Sequence, residues 1–186
     1  SVGYAPEGFE MRIVDDDRQQ IPACSIGELA IRGTFLFSEY LNKPEATATA
    51  MDADGWYYTG DLGYLEADGA LFLSGRKSEM YKTGGENVFP REIEDVLTEH
   101  PAVALAAVIG VPDPLFQEVG HAVVMLRPGA VNSASELKEH CRAKLTNFKV
   151  PKVVDIMPML PMLPNGKVNK LELKREILSR SNQESE

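Results

Sequence analysis

Residues 82–94 read Lys-Thr-Gly-Gly-Glu-Asn-Val-Phe-Pro-Arg-Glu-Ile-Glu. At this stretch the predicted secondary structure changes from mostly strands to helices mixed with strands. Its glycine pair predicts a loop, because glycine adopts backbone angles that other residues avoid. Pro90 suits the first position of a helix, and Glu92 suits the positive end of the helix dipole. The stretch therefore predicts a loop that leads into a helix, which Pro101 ends.

The residues before this stretch predict mostly β structure. Apolar residues alternate with polar ones at residues 10–14 and 28–32, as in half-buried strands. Asp68-Gly69 lies between apolar pairs and predicts a hairpin turn, since glycine supplies the positive φ that such a turn needs. A short helix is expected to open at Pro44.

The residues after it predict helices mixed with strands. Ser133 and Glu136 form a capping-box pattern that opens one helix. A second such pattern opens the last helix, whose Leu171 and Leu178 are expected to dock on a sheet. The predicted strands lie at residues 102–111, 120–126 and 153–157.

Charge and composition exclude several classes of protein. The chain has 186 residues and a formal net charge of −9, which argues against nucleic acid as a partner because duplex binding needs a basic surface. Residues 1–76 hold 5 Lys and Arg against 13 Asp and Glu, whereas the remainder is nearly neutral. The longest apolar run, residues 102–111, is about half of what a bilayer requires, so we expect a soluble protein with no membrane span. Cys24 and Cys141 show no disulfide pattern and favour a cytoplasmic location.

Each candidate motif is weak when it is taken alone. An Asp after Gly, as at Asp61, is often only a turn residue, and Lys167 in a glycine-containing loop is usually solvated. Gly166-Lys167 does not belong to a phosphate-binding P-loop, because the upstream glycine is missing and Val168 follows the lysine. The segments that stand out are Tyr58-Thr59-Gly60-Asp61, Gly75-Arg76, residues 82–94 and Pro164-Asn165-Gly166-Lys167.

In this order and spacing, the four segments closely resemble the C-terminal third of the adenylate-forming superfamily. That superfamily includes acyl-CoA synthetases, luciferase-type enzymes and the adenylation domains of non-ribosomal peptide synthesis. The resemblance implies an α+β fold: residues 1–76 would be the β-rich last subdomain of a large N-terminal domain, part of a distorted barrel. Residues 77–186 would be the mobile C-terminal domain, with a three-stranded sheet covered by helices. The family's phosphate loop and acid pocket would lie upstream, so the fragment alone is expected to be inactive.

The resemblance also implies a two-step reaction. A carboxylic acid attacks the α-phosphate of ATP to give an acyl-adenylate and pyrophosphate, and the thiol of coenzyme A then displaces AMP. Magnesium would accompany ATP, and we expect no metal site built by the protein and no tightly bound cofactor. The residues implied in nucleotide binding are Asp61, Arg76, Tyr58 and Thr59.

The remaining implied roles belong to the alternation between the two steps. Lys167 matches the family's adenylation lysine, whose positive charge would stabilise the charge that gathers at the α-phosphate in the transition state. Lys77 and Ser78 occupy the hinge, where the family usually has Asp or Lys at the position of Ser78. The residues implied in the thioester-forming step are Lys82, Gly84 and Gly85.

Other functions stay open at this stage. The acceptor could be the phosphopantetheine thiol of a carrier protein, although free coenzyme A is favoured. A luciferase-type oxidation uses the same motifs, and a non-enzymatic binding module could retain the fold. The sequence names neither the acid nor the oligomeric state, and the histidines His100, His121 and His140 are expected to be structural.

Overall fold

The structure, a computed structural model, describes residues 1–183 and divides into two compact units. Unit 1 comprises Ser1–Ser78, and unit 2 begins at Glu79. The division falls two residues after the position that the sequence suggested, so Lys77 and Ser78 belong to unit 1.

Unit 1 is built on a four-stranded antiparallel sheet whose spatial order follows the chain. A short helix, α1, spans Pro44–Ala50, where the sequence predicted it. The sheet is open as far as residues 1–183 show. Its strands are β1 (Phe9–Val14), β2 (Gly27–Gly33), β3 (Tyr57–Leu65) and β4 (Leu71–Arg76).

The predicted turn at Asp68-Gly69 joins β3 to β4. Gly69 has a φ of +88°, and Leu65 pairs with Leu71 across the hairpin. Because side chains alternate along a strand, the sheet buries two separate apolar clusters. One contains Val14, Ala30, Trp56 and Tyr58, and the other contains Ile13, Leu29 and Leu71.

Unit 2 is built on a five-stranded mixed sheet with the order β6-β5-β8-β7, in which β9 pairs parallel to β8. The three predicted strands are present as β7, β8 and β9. The structure adds β5 and β6, a hairpin whose turn is the glycine pair that the sequence placed in a loop. The α+β class is confirmed, with two strands more than the three that were predicted. The strands are β5 (Tyr81–Thr83), β6 (Glu86–Val88), β7 (Val103–Asp113), β8 (Gln117–Leu126) and β9 (Val153–Ile156).

Helices cover both faces of this sheet. Helices α2 (Pro90–Thr98) and α3 (Ala134–Arg142) pack on one face, against Val108 and its alternate neighbours. Helix α4 (Lys170–Gln183) packs on the other, against Ala107 and Ile109. The predicted capping box of α3 is present in full.

The prediction that Leu171 of α4 docks on the sheet is wrong, and the docking of Leu178 stays a prediction. Leu171 is exposed, and Leu178 is half-buried. Leu173 and Ile177 are the side chains that pack on the sheet, four residues apart and therefore on one helix face. No helix within residues 1–183 is long and apolar enough to cross a membrane.

Candidate active site

Asp61 and Arg76 form an ion pair at the end of the β3–β4 hairpin. They are direct cross-strand partners, and Arg76 Nε lies 2.8 Å from Asp61 Oδ1. Arg76 also donates through Nη1 to the carbonyl of Thr59 at 3.0 Å. The arginine is half-exposed and the carboxylate about a quarter exposed. The pair is thus preformed, held to the backbone and accessible to a ligand.

A bulge in the sheet presents this pair. Between the pairs Glu28–Leu62 and Ala30–Tyr58, the single residue Leu29 of β2 faces residues 59–61 of β3. Bulges of this kind aim side chains away from the regular ladder and are common beside active sites. Gly60 makes the bulge possible, because its φ is +72°.

Side chains inside the sheet hold the bulge in place. Gly60 N donates to Glu28 Oε1 at 3.0 Å. The Thr59 hydroxyl donates to Leu29 O at 2.9 Å and accepts from Asp61 N at 3.0 Å. The hydroxyl of Thr59 therefore shapes the backbone that carries Asp61.

Tyr58 and Tyr57 lie in different surroundings. Tyr58 is buried in the core of unit 1, where its hydroxyl donates to Asp52 Oδ2 at 2.7 Å, so the structure does not bring its side chain to Asp61. Tyr57 is the neighbour that interacts electrostatically with Arg76 and Asp61. A hydrogen bond with Tyr40 raises the pKa of Tyr57. The sequence motif did not single out Tyr57, although strand alternation could have distinguished its face from that of Tyr58.

The two residues expected at the hinge differ in their contacts. Lys77 Nζ pairs with Asp16 Oδ1 at 2.8 Å and with Glu28 Oε2 at 3.1 Å. The hydrogen bond to Asp16 raises the pKa of Lys77, and Glu28 adds to the effect. Ser78 is exposed and is the last residue of unit 1.

In unit 2, the β5–β6 hairpin brings Lys82, Gly84 and Gly85 together. The glycines form its two-residue turn with φ of +58° and +90°, angles that favour glycine at both positions. Gly84 N donates to Phe116 O at 3.0 Å, so the hairpin tip rests on the turn between β7 and β8. Lys82 is exposed.

A buried carboxylate supports that second turn. Asp113 Oδ1 accepts from Leu115 N at 2.9 Å and from Phe116 N at 3.0 Å, and Oδ2 accepts from Lys152 Nζ. The Lys152 ammonium and these amides lower the pKa of Asp113 to about 2. Asp113 thereby fixes the carbonyl that receives the Gly84 amide. No local sequence pattern could reveal Asp113, because its lysine partner is distant along the chain.

Lys167 ends a tight turn that leads towards α4. Leu163 N donates to Lys167 O at 2.7 Å, and Gly166 takes a φ of +80°. The Lys167 side chain is exposed, and no carboxylate within residues 1–183 lies at ion-pair distance from it. A turn of this kind presents an uncompensated ammonium on a short, well-defined backbone.

The candidate residues thus form three groups. Asp61, Arg76 and the Thr59 backbone meet in unit 1, and Lys82 with the glycine pair meets in unit 2. Lys167 stands on its own turn in unit 2. In the part of the chain that the structure describes, no three His, Cys, Asp or Glu side chains are placed to hold a metal ion.

Comparison with known proteins agrees with the motifs. Residues 92–167 match the AMP-binding enzyme C-terminal domain. The sulfoacetate–CoA ligase of Cupriavidus necator is 39% identical over 168 residues, which are 90% of this chain and 33% of that protein. Residues 92–167 therefore belong to this domain family, and the chain as a whole is similar to the C-terminal part of adenylate-forming enzymes.

Further relatives extend the same comparison. The medium-chain fatty-acid–CoA ligase of Escherichia coli is 36% identical over 186 residues, 98% of this chain and 32% of that protein. The fold matches the crystal structure of ATP-bound MatB from Rhodopseudomonas palustris with a TM-score of 0.87 and 34% identity, over 95% of this chain and 35% of that one. The chain therefore spans about a third of the length of the relatives that it matches.

Proposed function

We propose that the whole protein carrying this chain is an AMP-forming acid–CoA ligase. It would join a carboxylic acid to ATP as an acyl-adenylate, release pyrophosphate, and then form a thioester with coenzyme A and release AMP. The observation that carries this proposal is the preformed Asp61–Arg76 pair on its bulge, in a chain whose relatives are named CoA ligases. Its free cysteines fit the cytoplasmic location that the sequence favoured.

The pair in unit 1 is suited to a nucleotide. A carboxylate accepts hydrogen bonds from both hydroxyls of a ribose, and these bonds are stronger than neutral ones because the acceptor is charged. The Arg76 fork already holds one oxygen of Asp61, which fixes the orientation of the carboxylate before the ligand arrives. We assign ribose binding to Asp61, with Arg76 and the Thr59 backbone as its supports.

Lys167 is assigned to the first step. The acid is ionised at neutral pH, so it needs no general base, and the difficulty lies in bringing two anions together. A compact ammonium placed between the carboxylate and the α-phosphate would stabilise the negative charge that gathers there. The exposed position of Lys167 on a tight turn supports this role.

The β5–β6 hairpin is assigned to the second step. Gly84 and Gly85 have no side chains, so a narrow thiol arm can approach the backbone closely. A Cβ added at Gly85 would meet no heavy atom within 4 Å, which leaves room beside the turn. We place the pantetheine path along this turn, with Lys82 at its side.

Magnesium would enter with ATP, whose phosphates would hold it. It would neutralise phosphate charge. The described residues supply no cluster of metal ligands, so we assign no step to an ion held by this chain. Because the chain spans about a third of its relatives, we also propose that it does not turn over by itself.

The proposal is tested by separating the two half-reactions in the whole protein. Lys167→Ala should slow adenylate formation, measured by ATP–pyrophosphate exchange with a panel of acids, by roughly 100- to 1,000-fold, the scale of one lost preorganised contact. Thioester formation from supplied acyl-adenylate should change much less. The matched control is Lys144→Ala, because Lys144 is a lysine of unit 2 that pairs with Glu99 at the surface.

Two results would contradict the proposal. The first is equal loss in both half-reactions for Lys167→Ala. The second is an absence of acid-dependent pyrophosphate exchange in the unmodified whole protein across the panel. Thioester formation with a carrier-protein thiol in place of coenzyme A would replace the proposed acceptor and would leave the proposed adenylate-forming step unchanged.

A further inference from the structure

The residues on either side of Ser78 are each tied into their own unit. Lys77 is bonded inside unit 1, and Glu79, the first residue of unit 2, is bonded inside unit 2. Ser78 lies exposed between them. Two residues outside the four motif segments, Glu28 and Lys170, make these ties.

In unit 1, a single carboxylate holds both the bulge and the residue before Ser78. Glu28 accepts from Gly60 N through Oε1 at 3.0 Å and from Lys77 Nζ through Oε2 at 3.1 Å. Lys77 N in turn donates to Gly60 O at 2.8 Å. These bonds form a closed ring of contacts, so Lys77 is held to the backbone that precedes Asp61.

The burial of Glu28 makes this tie stronger than a surface ion pair. Its side chain is 13% exposed, whereas that of Asp16, the other partner of Lys77, is 91% exposed. Exposed ion pairs contribute little, while a hydrogen-bonded charge shielded from water contributes more. Glu28 is therefore the partner of Lys77 that is itself held inside unit 1, whereas the 2.8 Å contact to Asp16 lies at the surface.

In unit 2, the ammonium of Lys170 holds the residue after Ser78 in a similar way. Lys170 Nζ contacts the carboxylate of Glu79 and lies 2.7 Å from Glu94 Oε1. Glu94 Oε1 also accepts from Val108 N of β7 at 2.8 Å. Lys170 is the first residue of α4, and its side chain is 19% exposed. It therefore ties Glu79 to two helices and the sheet, three residues after Lys167.

We propose that Glu28 and Lys170 are positioning residues that clamp Lys77 and Glu79 and leave Ser78 as the backbone position that is free to rotate between them. That this freedom serves the two half-reactions rests on the proposed function. The clamps do not, since they are contacts within each unit. A hinge confined to few residues moves each unit as a rigid body, so that neither the bulge that carries Asp61 nor the turn that carries Lys167 is distorted.

The clamps can be measured without substrate, by 15N relaxation of backbone amides in the 186-residue chain. The amides of Lys77 and Glu79 should have order parameters of about 0.85, the value of rigid backbone. Values below about 0.6 at both positions in the unmodified chain would overturn the proposal. This measurement needs no variant to fold.

Two variants then test each clamp separately. Glu28→Ala should lower the order parameters of Gly60 and Lys77 and leave that of Glu79 unchanged. Lys170→Met keeps the aliphatic stem and should lower the order parameter of Glu79 while leaving that of Lys77 unchanged. Lys170→Arg, which keeps the charge, should restore the order parameter of Glu79. Loosening on both sides by either variant, or on neither side, would overturn the proposal.

Matched controls come from exposed ion pairs of the same units. Glu10→Ala removes the partner of Arg32 in unit 1, and Lys144→Met removes the partner of Glu99 in unit 2. Neither variant should alter the order parameter of Lys77 or of Glu79. If the order parameters behave as expected while the whole protein shows no pyrophosphate exchange, the clamps stand and the proposed function fails. If the whole protein shows the exchange while the order parameters contradict the clamps, the proposed function stands and the clamps fail.

Discussion

Among single residues, Tyr81 carries an uncompensated buried hydroxyl. Its side chain is 3% exposed, burial raises its pKa, and no described residue accepts or donates a hydrogen bond at its hydroxyl. Tyr81→Phe should therefore raise the free energy of unfolding of unit 2 by about 1 kcal/mol, measured by urea denaturation. Tyr58→Phe, which removes a hydroxyl bonded to Asp52, should lower that of unit 1 by a similar amount. The same sign for both variants would refute this account.

Asp113 should make stability depend on acid pH. Its pKa is about 2 in the folded chain against an ordinary value of 3.8, so the folded state favours the charged form. The stabilisation is complete above about pH 4 and is lost as the pH falls towards 2. Asp113→Asn should reduce the dependence of stability on pH, measured as the change in the urea midpoint of unfolding between about pH 4 and pH 2. Asp95→Asn, at an exposed pair with Arg91, serves as the control, and an unchanged slope for Asp113→Asn would contradict the prediction.

The sequence could identify site residues but not which way their side chains lie. Asp61 and Arg76 came from a motif, and the structure pairs them directly. Tyr58 came from the same motif, yet its side chain is in the core, because a motif marks positions along the chain and not the face of a strand. Asp113 and Lys152 meet only through tertiary structure, so no local pattern could reveal them.

Among elements, long periodic segments were predictable and short ones were not. Strands β7 and β8 and the capping box of α3 follow from apolar runs and a local cap. Strands β5 and β6 have three residues each, too few to show alternation, and they are defined by pairing with each other and with β8. Helix α4 offers several leucines, and only packing on the sheet selects Leu173 over Leu171.

The packing of β5 on the β7–β8 hairpin depends on two glycines. A Cβ at Gly120 would lie 2.4 Å from the Tyr81 hydroxyl oxygen, and one at Gly110 would lie 2.4 Å from Tyr81 Cβ. Each Gly→Ala change should lower the free energy of unfolding by about 1–3 kcal/mol, the range for overpacking. Tyr81→Phe should rescue Gly120→Ala, because it removes the atom that clashes. It should not rescue Gly110→Ala; rescue of both or of neither, in urea denaturation, would contradict this geometry.

At the scale of the whole molecule, the two units differ in charge as well as in fold. Nearly all of the net charge of −9 lies in residues 1–76, whereas the remainder carries Lys82 and Lys167 on a nearly neutral background. A surface with little net charge leaves single lysines free to act on phosphate without long-range repulsion of an anionic ligand. The proposed division of labour, ribose in unit 1 and phosphate and thiol in unit 2, agrees with this distribution.

Gly85→Leu should affect the two half-reactions of the whole protein in the reverse order from Lys167→Ala. A leucine there would fill the proposed thiol path, so thioester formation should fall by roughly tenfold or more, about 1.4 kcal/mol in barrier height, while adenylate formation stays close to normal. Positive φ alone strains a leucine by about 1–2 kcal/mol, and this strain needs its own control. Gly129 provides it: its φ is +78°, its Cβ would also meet open space, and it lies outside the hairpin. If Gly129→Leu slows thioester formation as much as Gly85→Leu does, backbone strain accounts for the effect and the path lies elsewhere.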